Sequence, residues 1–297
     1  MDMHPGQLAV TSDQVRLLLA DQFPGWAGLV VRPVASAGTV NALYRLGDEL
    51  VARFPLVGDD PATVQRSLED EAQASAELAA GTTVPTPVPV ALGGPGHGYP
   101  LPWAVQSWLP GVDANTRDPG GSEAFARDVA HFIIEVRSID TRGRRFAGRG
   151  RGGDLTGQDH WVRTCLDNSS GLVDVPALSK LWQDLRTLPP SGPDVMSHTD
   201  LIPGNVLVTD GRLAGVLDGG GFQAADPSLD LVAAWHLLDA APRKVLRGTL
   251  GCSSLEWERG RAWALAQAIG VGWYYIDTNP AMSRMGVRTL ERLLAHA

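Results

Sequence analysis

Residues 197–208 read SHTDLIPGNVLV, a histidine, an aspartate and an asparagine gathered around a Pro-Gly pair. Three readings compete for such a stretch. His198 and Asp200 could serve a metal hydrolase, could belong to a kinase loop, or could be polar caps in an ordinary turn. The rest of the chain decides between them.

With 297 residues the chain is long enough for one large domain or two lobes with cores of their own. Its 44% hydrophobic and 20% charged content suits a soluble globular protein. A net charge of -8 argues against a nucleic-acid partner, since neutralising phosphates takes clustered Lys and Arg. The start MDMHPGQLAV lacks the basic and apolar parts of a secretory signal. No apolar run approaches the roughly 18 residues of a membrane span. The expectation is a cytoplasmic protein with neither a membrane nor an obligate protein partner. Cys165 and Cys252 have no CxxC spacing and no neighbouring His ligands, and read as packed thiols.

Upstream of the loop, TSDQVRLLLADQF opens with Thr11 and Gln14 at capping-box spacing and continues on a helical period. LVVRPVASAGTVNALYRLGDELVARFPL then changes to short Val- and Leu-rich pieces separated by turn residues, which reads as successive strands. PATVQRSLEDEAQASAELAAG predicts a helix ending at Gly81, and strand-like pieces follow at 88–92 and 103–109. These signals give an N-terminal lobe over 1–110. From 111 to 297 they are mostly helical, in SEAFARDVAHFIIEVRSID, VPALSKLWQDLRTL and the 255–277 region. The exception is GNVLVTDGRLAGVLDGGG, which predicts a hairpin turning at Asp-Gly. The chain also has one basic cluster, RGRRFAGRGRGGD, with Arg142, Arg144, Arg145, Arg149 and Arg151. It reads either as a solvated Gly-rich loop or as a clamp for an anionic group on nucleotide or substrate.

The spacing His198-x-Asp200-x-x-x-x-Asn205, then a hairpin ending in Asp218, is the catalytic-loop pattern of the kinase fold. Phosphoryl transfer needs these residue types in this order. One carboxylate must accept or orient the proton of the attacking hydroxyl. An amide oxygen and a second carboxylate must hold a divalent cation against the nucleotide phosphates. Asp200 takes the first role, and Asn205 and Asp218 are the expected magnesium ligands. His198 braces the loop through hydrogen bonds. A polar turn explains His198 and Asp200 alone but not the joint pattern with Asn205, the hairpin and Asp218. A metal hydrolase is disfavoured because the chain has no HExxH and no compact set of histidines.

These motifs, with GVLDGGGFQAADPSLDLVAAW after them, make the chain resemble the aminoglycoside phosphotransferase family, a small-molecule branch of the protein-kinase-like superfamily. The resemblance runs from about residue 28 to 290 and is strongest between 195 and 236. It implies an α+β, protein-kinase-like bilobal fold, with a sheet-rich nucleotide lobe and a mostly helical substrate lobe. It also implies that Asp230 is a buried support that hydrogen-bonds backbone around the catalytic loop. Asp226 and Pro227 read as a turn at a helix start.

By the same resemblance, SAGTVNALYRL is the phosphate-covering hairpin, with Ser36, Gly38, Thr39 and Asn41 able to approach phosphates. Arg53, in LVARFP, stands where the phosphate-binding lysine is usual. It keeps a permanent cation but differs in reach and geometry. Glu71 is the expected helix partner of that cation, with Glu69 facing elsewhere. WAVQSWLPG resembles the interlobe hinge, where backbone groups of Ser107, Trp108 and Leu109 would meet the nucleotide base. Gly219 replaces the phenylalanine of the protein-kinase DFG, and no APE-like activation segment follows. Both departures favour a constitutively competent small-molecule kinase.

The expected reaction is transfer of the γ-phosphoryl of ATP or GTP, with magnesium, to a hydroxyl of a small molecule. By resemblance the acceptor is an antibiotic, an aminoglycoside or a macrolide. A metabolite kinase of the choline or homoserine type and a nucleotide-binding pseudokinase are the alternatives. Glu256, Glu258 and Asp277, near several aromatics, would bind an amino sugar or else form the solvated face of a helix. The basic cluster in the same lobe weighs against a strongly cationic acceptor.

Overall fold

In the structure, a computed structural model describing residues 7–34, 40–58, 60–148 and 150–295, Thr11 and Gln14 form the reciprocal cap their spacing predicts. Thr11 Oγ1 accepts from Gln14 N, and Gln14 Oε1 accepts from Thr11 N, so two orphan donors of helix α1 (Ser12–Gln22) are satisfied together. The chain forms two compact units. One comprises Met1–Ala80, Pro85–Pro110 and Asp218–Gly220; the other comprises Gly81–Val84, Gly111–Leu217 and Gly221–Ala297.

The first unit is sheet-rich. Strands β1 (Val31–Val34), β2 (Asn41–Leu46), β3 (Leu50–Pro55), β4 (Pro89–Gly93) and β5 (Trp103–Ser107) form an antiparallel sheet in the order β1-β2-β3-β5-β4. Alternation along β3 sends Ala52 and Phe54 into the core and turns Arg53 to the opposite face. Phe54 stacks on Trp103 with ring centroids 4.9 Å apart and meets Tyr99 edge-on at 5.2 Å. Leu18 and Leu19 of α1 belong to the same cluster. Helix α2 (Pro61–Gly81) ends at the predicted glycine and carries Glu71.

The second unit is mostly helical, built from α3 (Glu123–Ser138), α4 (Asp159–Asn168), α5 (Val175–Leu185), α6 (Ala233–Leu237), α7 (Ala240–Leu250), α8 (Ser254–Tyr274) and α9 (Pro280–Leu294). Its strands are short: β6 (Val112–Asp113), β8 (Val206–Thr209) and β9 (Arg212–Val216) form one sheet, and β7 (Val195–Ser197) pairs with β10 (Gln223–Ala225). The β8–β9 turn puts Asp210 and Gly211 at φ +50° and +70°, the left-handed pair that Asp-Gly supplies at least cost. The sheet-rich first unit and helical second unit make the α+β fold that the sequence predicts. Among the described residues, no helix is long and apolar enough to cross a membrane. Cys165 and Cys252 are both free thiols.

Helix α8 is buried on nearly every side from Trp257 to Gly270, so its polar side chains need partners inside the protein. Arg259 and Trp263, one turn apart, both donate to Asp226. Asp226, 4% exposed, accepts from Arg259 Nε and Trp263 Nε1 at 2.9 Å each and from Ser228 N. Its role is therefore larger than a turn at a helix start. Asp226→Ala leaves a buried guanidinium uncompensated and is expected to cost about 3–5 kcal/mol in urea unfolding. A loss below about 1 kcal/mol, the scale of a surface pair, would contradict that role.

Candidate active site

The stretch 198–205 leaves β7, turns through a short 3-10 segment (Pro203–Asn205) and enters β8. Asp230 holds its first turn: the carboxylate, 2% exposed, accepts from His198 N at 2.8 Å and Thr199 N at 2.9 Å. Thr199 lies at φ +76°, a region a β-branched residue enters only when its surroundings impose it. His198 is fully buried. Its Nε2 meets Leu217 O at 2.9 Å and its Nδ1 accepts from Asp200 N at 3.4 Å, which together require the Nε2–H tautomer. The imidazole thus ties the 198–205 loop to the end of the β8–β9 hairpin, and the neighbouring Leu217 N donates to Asn205 O at 2.7 Å.

Asp200 is held from several directions. Asn205 Nδ2 donates to its Oδ2 at 2.8 Å and to its backbone O at 3.0 Å. Because the amide nitrogen is committed in this way, the Asn205 side-chain oxygen is the atom left to face a cation. Arg151 Nη2 donates to Asp200 Oδ1 at 2.9 Å, and Gln267 Nε2 bonds the same oxygen. Neither Arg151 nor Gln267 is identifiable as an Asp200 partner from the catalytic-loop pattern. Gln267 carries a signal nonetheless, as a polar side chain on an otherwise buried helix.

In the first unit, Arg53 Nη2 meets Asp218 Oδ1 at 3.1 Å and Glu71 Oε2 at 3.8 Å, and Nη1 donates to Gln106 at 3.3 Å. Arg53 therefore sits closer to Asp218 than to Glu71. Glu69 turns away and bonds Gln65. Burial raises the pKa of Glu71, with the Asp218 charge adding to the rise and Arg53 and Ser67 opposing it. Gly219 and Gly220 let the chain after Asp218 lie directly on α2. A Cβ at Gly219 would come within 2.8 Å of Leu78, and one at Gly220 within 2.9 Å of Glu71. The absence of the DFG phenylalanine is thus a packing requirement of this turn. A cavity of about 230 Å³ beside Arg53 is lined by Glu71, Ser75, Leu92, Ala104 and Gln106.

Of the residues expected at the nucleotide, Ser36, Gly38 and Thr39 lie outside the described residues, as does Arg149 of the basic cluster. Asn41 opens β2 opposite Pro55. Ser107 N donates to Val88 O at 2.9 Å and Trp108 N to Glu49 O at 2.6 Å. Those two N–H donors are engaged within the first unit. The Arg45 guanidinium packs over the Trp108 ring, 5.0 Å from its centroid.

Two of the acidic residues suggested for an amino sugar meet arginines. Glu256 pairs with Arg137 at 2.9 Å, Glu258 reaches Arg261 at 3.4 Å, and Asp277 is exposed. A cavity of about 290 Å³ opens instead among Asn115, Pro203, His236, Ala281, Arg284 and Met285. His236, 3% exposed, bonds Thr289 Oγ1 through Nδ1 at 3.0 Å, and its Nε2 has no partner at hydrogen-bond distance.

A buried aspartate bracing an HxDxxxxN loop, on this α+β frame, defines the class: a kinase-like phosphotransferase. The comparisons agree. The profile of the "Phosphotransferase enzyme family" (APH) matches residues 31–263, and the chain belongs to that family. Among solved structures, it is similar to the GDP complex of an aminoglycoside 2'-phosphotransferase-IIIa. That match has TM-score 0.72 and 18% identity, covering 97% of this chain and 99% of the other. It is also similar to the macrolide 2'-phosphotransferase MphH from Brachybacterium faecium. There the TM-score is 0.61 and the identity 20%, covering 94% of this chain and 98% of that one. At these identities the likeness is one of fold. No curated protein matches the sequence.

Burial pushes the His236 pKa down from 6.5 to about 3, helped by the Arg151 and Arg292 charges and opposed by Gln267. The folded protein keeps this imidazole neutral where the unfolded chain protonates it, so stability is full above the ordinary value and declines as pH falls towards the folded one. Urea unfolding from about pH 7 to about pH 4 is expected to show a shallower loss for His236→Gln than for the wild type. Equal slopes would show that His236 does not contribute.

Proposed function

We propose that the protein transfers the γ-phosphoryl group of ATP or GTP to a hydroxyl of a small molecule, with Asp200 orienting that hydroxyl. The observation that carries this reading is the fixed Asp200 carboxylate on a loop braced by Asp230 and His198. Transfer of this kind needs little covalent help from the protein, so positioning and charge stabilisation do most of the work. Asp200 accepts a hydrogen bond from the attacking hydroxyl and aligns it. Arg53 steadies the phosphates, and Glu71 limits where its guanidinium can go. Asn205 and Asp218 offer the hard oxygen donors that magnesium takes, and bound magnesium would neutralise charge on the transferring group.

The acceptor is an antibiotic, an aminoglycoside or a macrolide. Macrolides are supported over polycationic aminoglycosides by one observation: Glu256 and Glu258 are paired with arginines, and Asp200 itself carries Arg151. A strongly cationic ligand would compete with those arginines for the carboxylates. The cytoplasm, where ATP and GTP are available, is the proposed location.

Asp200→Ala is expected to bind nucleotide as the wild type does while losing nearly all transfer to acceptors. Nucleotide titration and a nucleotide-consumption screen over aminoglycosides, macrolides and small amino alcohols measure the two separately. Unchanged turnover would remove Asp200 from the chemistry. A response to amino alcohols alone would favour the metabolite-kinase alternative.

A further inference from the structure

The basic stretch 142–154 has no place in the reaction described so far, yet the structure gives one of its arginines a specific partner. Arg151 donates to Asp200 Oδ1 at 2.9 Å, beside the bond from Gln267 to the same oxygen. We propose that Arg151 and Gln267 are positioning residues that fix the Asp200 carboxylate for the acceptor hydroxyl. The proposal rests on the reading of Asp200 as the hydroxyl-orienting group.

A carboxylate turns easily about its last torsion unless both oxygens are engaged. Asn205 holds Oδ2 from within the loop. Arg151 and Gln267 hold Oδ1 from two other parts of the fold, so three separate segments define the carboxylate plane. The segment carrying Arg151 is anchored on both sides of it. Gly150 O accepts from Gln158 Nε2 at 3.3 Å, and Gly152 O accepts from Asp226 N at 2.7 Å. Gly152 lies so close to β10 that a Cβ there would come within 2.7 Å of the Ala225 methyl group. At a third exposed, Arg151 is a fixed strut on the carboxylate and not a free surface cation.

Gln267 reaches Asp200 from α8, along a stripe whose residues recur every four positions. Arg259 and Trp263 bind Asp226, and Gln267, one turn further, binds Asp200. One helix face therefore holds both aspartates, and Asp226 in turn anchors the strap that presents Arg151. At 7% exposed, Gln267 is a polar side chain in an apolar helix core, a placement that is costly without a partner. Asp200 supplies that partner.

A purely structural ion pair would stabilise the protein without acting through Asp200, and a double-mutant cycle separates the two roles. The assay is magnesium-dependent turnover of ATP and GTP, with water and with the acceptor from the screen. It compares the wild type with Arg151→Ala, Arg151→Lys, Gln267→Leu, Asp200→Ala and the Arg151→Ala/Asp200→Ala double variant, with melting temperature recorded for each. Arg151→Ala is expected to lower kcat about 100-fold with nucleotide KM unchanged, as for a misplaced reacting group. Lysine at 151 and added guanidinium ion should each restore part of the rate. Gln267→Leu should lower kcat in the same way. The loss from Arg151→Ala should vanish in the Asp200→Ala background. Wild-type or faster turnover by Arg151→Ala, or additive losses in the double variant, would overturn the positioning role. Asp200→Ala at the wild-type rate, or a wild type with no turnover, would overturn the reading of Asp200 itself and this role with it.

Discussion

The Asp230 carboxylate is the contact on which the 198–205 loop depends. It takes the backbone N–H groups of His198 and Thr199 into a buried site and satisfies two donors that the turn leaves unpaired. By doing so it holds Thr199 in a left-handed conformation that a threonine otherwise avoids. The loop then leads Asp200 to the donors that fix it, and His198 spans from Asp200 N to Leu217 O at the close of the hairpin. A side chain with one oxygen fewer at 230 would leave a buried N–H unpaired in the turn that sets the direction of Asp200.

Within each unit the charges are arranged economically. Helix α8 serves two aspartates from one face, and Asp226 is both the partner of Arg259 and the anchor of Gly152. In the first unit, Arg53 meets both Asp218 and Glu71, so two carboxylates orient its guanidinium. A guanidinium suits this place better than an ammonium because its planar fork can address several acceptors at once. Gly219 and Gly220 complete the arrangement by letting the chain after Asp218 lie against α2.

Much of this was legible in the sequence, for identifiable reasons. The cap at Thr11, the end of α2 at Gly81 and the turn at Asp210-Gly211 are local, and each follows from residue type at a fixed offset. His198, Asp200 and Asn205 stand at fixed offsets along the chain, and in the structure they bond one another, with His198 also reaching Leu217 O. What the sequence hid depends on contacts between distant positions. Arg151 stands in a Gly-rich stretch that reads equally well as solvated, and only the fold carries it 49 positions along the chain to Asp200. Glu256 looked available for a ligand because its partner Arg137 lies on another helix. The N–H groups of Ser107 and Trp108 bond Val88 O and Glu49 O, partners that the hinge-like sequence WAVQSWLPG does not reveal. The spacing of Arg259, Trp263 and Gln267 was a readable signal, since polar residues four apart on an apolar helix imply buried partners.

Following the phosphorus itself tests the central claim most directly. The protein is incubated with magnesium, ATP or GTP and the acceptors of the screen, and the reaction is followed by phosphorus-31 NMR. The expected result is a new phosphomonoester resonance on one acceptor, growing in step with nucleoside diphosphate. Nucleoside diphosphate accompanied only by inorganic phosphate, or no change in the nucleotide with every acceptor, would contradict it.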